Sequence, residues 1–316
     1  MIITDTIKLF FNNSGLIWKI LLYQLVCSIL VCGVAVACCY PLIVGLVDSG
    51  VFDQIANIIS DSFFNFQINE ILSNLGSIMS QFLGIITSNS AQFVPLLILL
   101  FIVLGIGGSF IFGLMQIPVM ECIYGFMGSF SKLGFGGCFI KDFGRSVRFS
   151  LARLAIVLPF DILILAVFLL SLRLFSFGVV LSMLAPFIIV FVLTALISIR
   201  ISLFSTWASS IVVKNSKIFT GLKDSFKAVS KTYKQMFGTS VAITLIIIVL
   251  NVSAIMFTAS VGLFLTIPSS VLLCYVFAQV AFFYANGLRF YLDKQTIITP
   301  RKIEDFESLK TLKNIV

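Results

Sequence analysis

Histidine is absent from this chain, and other ionisable side chains are scarce. Charged residues make up 11% of the 316 positions. Without histidine, the chain lacks the residue that most often serves as general acid or base and as metal ligand. The seven cysteines lie mostly in apolar segments and show no metal-ligand spacing. We therefore expect no catalytic centre, no metal and no other cofactor.

Apolar side chains dominate instead: 59% of the residues are hydrophobic and 34 are Phe. A soluble domain of this composition would expose large apolar patches, whereas a lipid bilayer accepts them. Six apolar segments approach or exceed the ~20 residues that span a bilayer. They are residues 16–47, 94–120, 154–172, 177–199, 239–259 and 263–288. The sequence predicts an all-α, polytopic bundle of six transmembrane helices in one domain, residues 1–291, followed by a tail, residues 292–316.

Lysine and arginine are distributed unevenly along the chain. None occurs from Leu21 to Ser131, and of the 21 in the chain only Arg173 falls outside if both termini are inside. Cytoplasmic loops carry the excess of basic residues in membrane proteins. This pattern predicts a multi-pass protein of the cell (plasma) membrane with cytoplasmic termini. The net charge of +8 favours membrane lipids, and not nucleic acid, as partners.

A basic amphipathic motif occurs three times. Asp5, Asp142 and Asp224 each precede a basic residue by three positions, and an apolar span follows each motif. An acid and a base three apart share one helix face, and interfacial basic side chains reach lipid phosphates. We predict an internal repeat, each unit being an interfacial helix plus a transmembrane hairpin; the alternative is a chance recurrence of a common pattern. The units cover approximately residues 1–130, 131–213 and 214–291.

The stretch from Trp207 to Gly238 contains an apolar run, a short basic turn and a second helical pattern. Through Leu222, Ser225, Phe226 and Gly238, it resembles the membrane domain of the glycerophosphoryl diester phosphodiesterase superfamily and its stand-alone relatives. In fused relatives a separate soluble domain carries the chemistry. The resemblance therefore implies a membrane module and assigns no catalytic residue.

Residues 48–93 form an insertion between the first two spans. Apolar residues recur at helical spacing from Phe52 to Phe66 and again from Ile68 to Ile86. This periodicity predicts two external amphipathic helices that rest on the outer leaflet or on the span ends. The alternative is a gate, or a docking face for a protein partner.

Asp161 is the carboxylate that falls deepest within a predicted span. An ionisable group inside a bilayer is a functional candidate because it costs at least ~2.5 to 3.5 kcal/mol at a helix centre. Gln24, which matches Asp161 in the repeat register, is the first expected partner, and Gln279 in the sixth span is the second. Two interpretations stay open: a polar tie between helices, or a proton or substrate site.

Three further charged residues, Glu121, Arg200 and Arg289, fall near the inner ends of their spans. They predict an ion cluster at the inner interface. The alternative is that their side chains separately extend to the lipid head groups.

These features favour a non-enzymatic integral membrane module that handles or senses lipids or other amphiphiles. The alternative function is a permease or transporter subunit that uses Asp161 in the membrane. An intramembrane enzyme is least favoured because the spans lack a paired acid and base. The residues do not specify an oligomeric state.

The predicted topology can be tested by cysteine labelling in intact cells. Cysteines introduced at Ser60 and Ser88 should react with an impermeant thiol reagent added outside, because both positions lie in the external insertion. Cysteines at Ser216 and Ser308 should stay unlabelled until the membrane is permeabilised, since the basic-residue bias places them inside. The reverse labelling pattern would contradict the six-span topology.

Overall fold

The structure, a computed structural model, describes residues 2–48, 90–171, 178–258, 262–293 and 295–299. It confirms the predicted fold class. Within the described ranges, six helical segments are long and apolar enough to cross a membrane. The chain is an all-α, polytopic integral membrane protein.

The elements follow one another along the chain with short connections. They are α1 Ile2–Asn12, α2 Gly15–Asp48, α3 Ser90–Phe101, α4 Gly108–Leu114, α5 Gln116–Ser129, α6 Phe135–Lys141, α7 Phe143–Ser171, α8 Gly178–Lys214, α9 Ile218–Thr258, α10 Leu263–Asn286, β1 Phe290–Tyr291 and β2 Ile297–Ile298. A π-helical turn, Ile102–Gly107, joins α3 to α4, so α3 to α5 together form the second span. The other spans are α2, α7, α8, α9 and α10.

The three predicted interfacial segments take three different forms. The first is a separate helix, α1, which contains Asp5. The second continues without a break into its span, because α7 begins directly after Asp142. The third is the start of α9, which is kinked at Thr232 (φ −126°, ψ 23°) before the apolar part begins. The predicted internal repeat is not tested by these differences and stays a prediction.

One end of the bundle, here called the basic end, carries α1, α6, the start of α9 and the β1–β2 hairpin. The Tyr284 hydroxyl at the end of α10 donates a 2.5 Å hydrogen bond to Asp5 in α1. The Asn12 side-chain amide donates to the carbonyl of Leu292 at 2.7 Å. Strand β1 pairs antiparallel with β2, and Phe290 is buried against the ends of the helices. The first residues of the segment assigned to the tail thus pack on the bundle.

Helix α10 is the central element. In its most apolar stretch 44% of the residues are buried, compared with 6% in α7. One face of α10 packs with α1, α2 and α5 around Phe282, a second with α5, α7 and α8 around Trp207, and a third with α8 and α9 around Phe277. An apolar helix buried on all sides is typical of the middle of a membrane bundle.

Small hydroxyl residues join α8 to α9. The Thr206 and Ser225 hydroxyls are 2.6 Å apart, and the Ser210 hydroxyl donates to the Gly221 carbonyl at 2.5 Å. The Trp207 indole N–H donates to the carbonyl of Ile218 at 2.9 Å. Such close backbone approach and interhelical hydrogen bonding are the usual cohesive contacts between helices in membranes, where lipid competes for apolar faces.

The insertion predicted for residues 48–93 falls largely outside the described residues. Positions 49–89 are not described, so its two amphipathic helices stay a prediction, and residues 90–93 belong to α3. Residues 300–316 of the predicted tail are likewise outside the described ranges.

Replacing Gly221 by alanine should destabilise the bundle. A methyl group there would lie 2.5 Å from Cγ1 of Ile211 and 3.0 Å from the Ser210 hydroxyl, so helices α8 and α9 would have to separate. Overpacking of this kind costs about 1 to 3 kcal/mol. The unfolding midpoint of the detergent-solubilised protein, followed by tryptophan fluorescence, should fall.

Gly144→Ala in α7 is the matched control. A methyl group at Gly144 meets nothing within 4 Å, so the higher helix propensity of alanine should leave the midpoint unchanged or raise it slightly. Equal loss of stability in both variants would show that the α8–α9 contact is not tightly packed.

Candidate functional site

Asp161 and Arg200 form an ion pair between the adjacent spans α7 and α8. The Arg200 Nη2 donates to Asp161 Oδ2 at 2.9 Å, and its Nε donates to Oδ1. This is the two-point geometry in which the planar guanidinium matches a carboxylate. The expectation that Gln24 would be the first partner of Asp161 is wrong, because the carboxylate accepts both hydrogen bonds from Arg200.

The pair corrects the expected ion cluster as well. Arg200 bonds with Asp161 inside the bundle, whereas Glu121 bonds with Lys141 at 3.2 Å at the basic end. The charge of Glu121 and its hydrogen bond raise the pKa of the exposed Lys141 ammonium. Arg289 is exposed beyond α10 and makes no ion pair within the described ranges. Glu121, Arg200 and Arg289 therefore do not form one cluster.

Arg153 is the second arginine inside the bundle. It lies on α7 where this helix crosses α4, and the Ser150 hydroxyl donates to the Phe110 carbonyl at 2.6 Å in the same crossing. A methyl group on Gly113 would collide with the Ser150 hydroxyl and come within 3.1 Å of Nη1 of Arg153. Only glycine fits at this crossing without a shift, so Gly113 holds the guanidinium close to the α4 backbone.

Arg153 differs from Arg200 in having no counter-ion of its own. Within the described part of the chain, its guanidinium makes no hydrogen bond and no ion pair. Guanidinium groups stay protonated under all ordinary conditions. Arg153 therefore presents a permanent positive charge to its surroundings.

Two cavities meet at Arg153. The smaller has a volume of about 360 Å³ and lies among α7, α8, α9 and α10. The larger has a volume of about 690 Å³ and lies among α2, α4, α7 and α10. Arg153, Val271 and Tyr275 line both. Together these three residues form the wall, here called the junction, that divides one cavity from the other.

The two cavities differ in polarity. The smaller includes Arg200 and the polar side chains of Gln116, Ser205, Thr244 and Ser270. The larger is lined mainly by aliphatic and aromatic side chains, with Gln24 and Ser28 as polar exceptions besides the junction. Arg153 and Arg200 are the only charged residues that line either cavity in the described part of the chain.

The predicted intramembrane residues are not brought together as one site. Asp161 pairs with Arg200, and Gln24 lines the larger cavity with Arg153. Gln279 is buried in α10, and its amide has no hydrogen-bond partner within the described ranges. The proximity of Gln24 to an ionisable residue was thus anticipated, but with the wrong residue.

Sequence analysis missed Arg153 and misplaced Arg200 for the same reason. The third span was predicted to begin at residue 154 and the fourth to end at residue 199, so each arginine fell one residue outside. In the structure α7 begins at Phe143 and α8 continues to Lys214. The available signal was the run of uncharged residues around each arginine, which marks it as part of a longer helix.

The arrangement can bind an anion but is not suited to hold a metal ion. Among the described residues, no group of three or more His, Cys, Asp or Glu side chains could act as a metal site. The guanidinium of Arg153 offers five N–H donors and the hydroxyl of Tyr275 one more. Both line the same two cavities, so they can serve one ligand.

The chain matches no protein-family profile, no curated protein and no solved structure. The resemblance through Leu222, Ser225, Phe226 and Gly238 therefore stays a prediction. In the structure the stretch forms the end of α8 and the beginning of α9, where buried Ser225 meets Thr206. These residues lie in a helix contact and not at either cavity.

A double-mutant cycle should show that Asp161 and Arg200 are coupled. Asp161→Leu and Arg200→Met should each destabilise the protein, because each leaves one charge unpaired inside the bundle. The double variant should lose less than the sum, with a coupling free energy of about 1 to 3 kcal/mol. Unfolding in mixed micelles, followed by tryptophan fluorescence, measures this energy.

The Glu121–Lys141 pair provides the control cycle. The Lys141 side chain is 69% exposed, and exposed pairs couple by only about 0.2 to 1 kcal/mol. If the two cycles gave equal coupling, or if the Asp161 and Arg200 substitutions were additive, the intramembrane pair would not contribute as we infer.

Proposed function

We propose that this chain is an integral membrane module that binds lipids or other amphiphiles within its helical bundle and does not alter them covalently. The observation that carries this proposal is the larger cavity. Its wall is largely apolar, yet it includes the arginine and the tyrosine of the junction. A wall of this kind matches a ligand with an apolar chain and a polar head.

The larger cavity is accessible from the lipid phase. Three of its wall residues are exposed on the bundle surface: Leu25 at 39%, Phe264 at 62% and Ile267 at 47%. They belong to α2 and α10, whose outward faces would meet acyl chains. An amphiphile could therefore enter sideways from the bilayer without crossing water.

The basic end supports a position at the inner leaflet of the plasma membrane, with both termini in the cytoplasm. Cations at this end, such as Lys8, Lys141 and Lys217, are exposed. Large apolar side chains stand exposed beside them, including Phe143 at 49% and Phe219 at 71%. Basic residues mixed with exposed aromatic residues are typical of helices that lie on anionic lipid surfaces.

A permease is the second candidate function, favoured by the Asp161–Arg200 pair. Arg200 lines the smaller cavity and is held by a carboxylate on the neighbouring helix. A solute anion that competes for Arg200 would release Asp161, and this exchange of partners would couple solute to proton movement. Flux into liposomes under an imposed proton gradient distinguishes a permease from a binding module.

Filling the junction should block amphiphile binding. Val271 lines both cavities, so Val271→Trp places a large side chain where they meet. Photoactivatable fatty-acid and phosphatidylcholine analogues in liposomes should crosslink to wall residues such as Leu25 and Phe264 in the wild type, and Val271→Trp should lose most of this crosslinking.

Val249→Trp serves as the control, because Val249 is 62% exposed on α9 and lines neither cavity. It should leave cavity crosslinking intact. Crosslinks that were spread over the outer faces of the bundle and unaffected by Val271→Trp would contradict the proposed function.

A further inference from the structure

The charges inside the bundle do not balance. Arg153 and Arg200 supply two positive charges around the cavities, and Asp161 supplies one negative charge that is committed to Arg200. None of the other described residues that line the cavities carries a charge. One positive charge, that of Arg153, remains without a counter-charge from the described part of the chain.

An uncompensated charge within a bilayer is costly. Even the most favourable scale gives ~2.5 to 3.5 kcal/mol for an arginine at the centre of a transmembrane helix. Arg153 lies at a helix crossing where Gly113 leaves room for it, so the fold keeps the guanidinium in place despite this cost. A bound anion would offset the cost.

The junction offers two donors to such an anion. Arg153 and Tyr275 both line both cavities, and within the described ranges neither side chain makes a hydrogen bond. Charge-assisted hydrogen bonds from a guanidinium to a carboxylate or phosphate are about twice as strong as neutral ones. The apolar part of the larger cavity, formed by Leu21, Phe112 and Ile267 among others, begins at the same place.

We propose that Arg153 and Tyr275 bind the anionic head group of an amphiphile whose apolar chain lies in the larger cavity. This inference rests on the proposed function and adds the charge of the ligand and the residues that select it. The head group is a carboxylate or a phosphate ester, since both accept hydrogen bonds from a guanidinium in the same way.

Asp161 sets how much negative charge the site accepts. By neutralising Arg200, it limits the net charge beside the cavities to a single positive unit, which suits a head group with one negative charge. Asp161→Asn would leave Arg200 uncompensated at the wall of the smaller cavity. That variant should bind doubly charged phosphate monoesters more tightly than the wild type does.

Binding of three amphiphiles to the purified full chain in a neutral detergent tests the inference. Oleic acid carries a carboxylate, oleoyl lysophosphatidic acid a phosphate monoester, and monooleoylglycerol no charge. In the wild type the preferred anionic amphiphile should bind at least about tenfold more tightly than the neutral one, as expected for one charged hydrogen bond. The ratio between the two acids identifies which head group the site prefers.

Variants assign the preference to the junction. Arg153→Gln should abolish the difference between charged and neutral amphiphiles, and Tyr275→Phe should reduce it. Arg153→Lys keeps the positive charge and should retain part of the preference. Arg148→Gln removes the same charge from an exposed position on the same helix, outside both cavities, and should have no effect.

Equal affinity of the wild type for charged and neutral amphiphiles would overturn the inference, as would a charge preference that survives in Arg153→Gln. If Arg153→Gln fails to fold, the wild-type preference together with its partial retention in Arg153→Lys supports the inference, and complete insensitivity to that change overturns it. Should all three amphiphiles bind equally and Val271→Trp block them all, the inference fails while the proposed function stands. Should none bind, both fail.

Discussion

Compensation of charge inside an apolar medium is the constraint on which the interior of this bundle depends. In water a guanidinium is fully solvated, but between transmembrane helices it must find a carboxylate, a polar cavity or a bound anion. Arg200 meets this requirement through Asp161 on the neighbouring span. Arg153 meets it through the two cavities at which it stands. One arginine therefore ties α7 to α8, and the other marks the place where a ligand fits.

The packing around these arginines follows from how helices cohere in lipid. Apolar faces gain little from contacting each other instead of acyl chains, so small residues and hydroxyl groups carry the close contacts. Gly113 brings α4 against α7 beside Arg153, and Gly221 brings α8 against α9. Helix α10 fills the space between these pairs and contributes Tyr275 to the junction. The site is thus built from contacts that do not depend on the ligand.

A binding module and a permease would use the same residues in different ways. For binding alone, the Asp161–Arg200 pair stays closed, and Arg153 and Tyr275 hold the ligand at the junction. Transport requires in addition that the pair opens, since the smaller cavity is bounded by Arg200. The distinction therefore concerns the free energy of one ion pair, which is modest because both side chains remain partly exposed.

By itself the sequence determined the membrane class, the number of spans and the bias of basic residues to one side. These properties depend on composition averaged over about 20 residues, so an error of a few positions does not change them. Tertiary structure alone decided that Asp161 pairs with Arg200 and not Gln24, because a partner depends on how neighbouring helices are rotated and how far each extends. Span boundaries set one residue short excluded both Arg153 and Arg200 from the interior. The cavities are likewise a property of packing, since their walls combine residues from helices far apart in the chain.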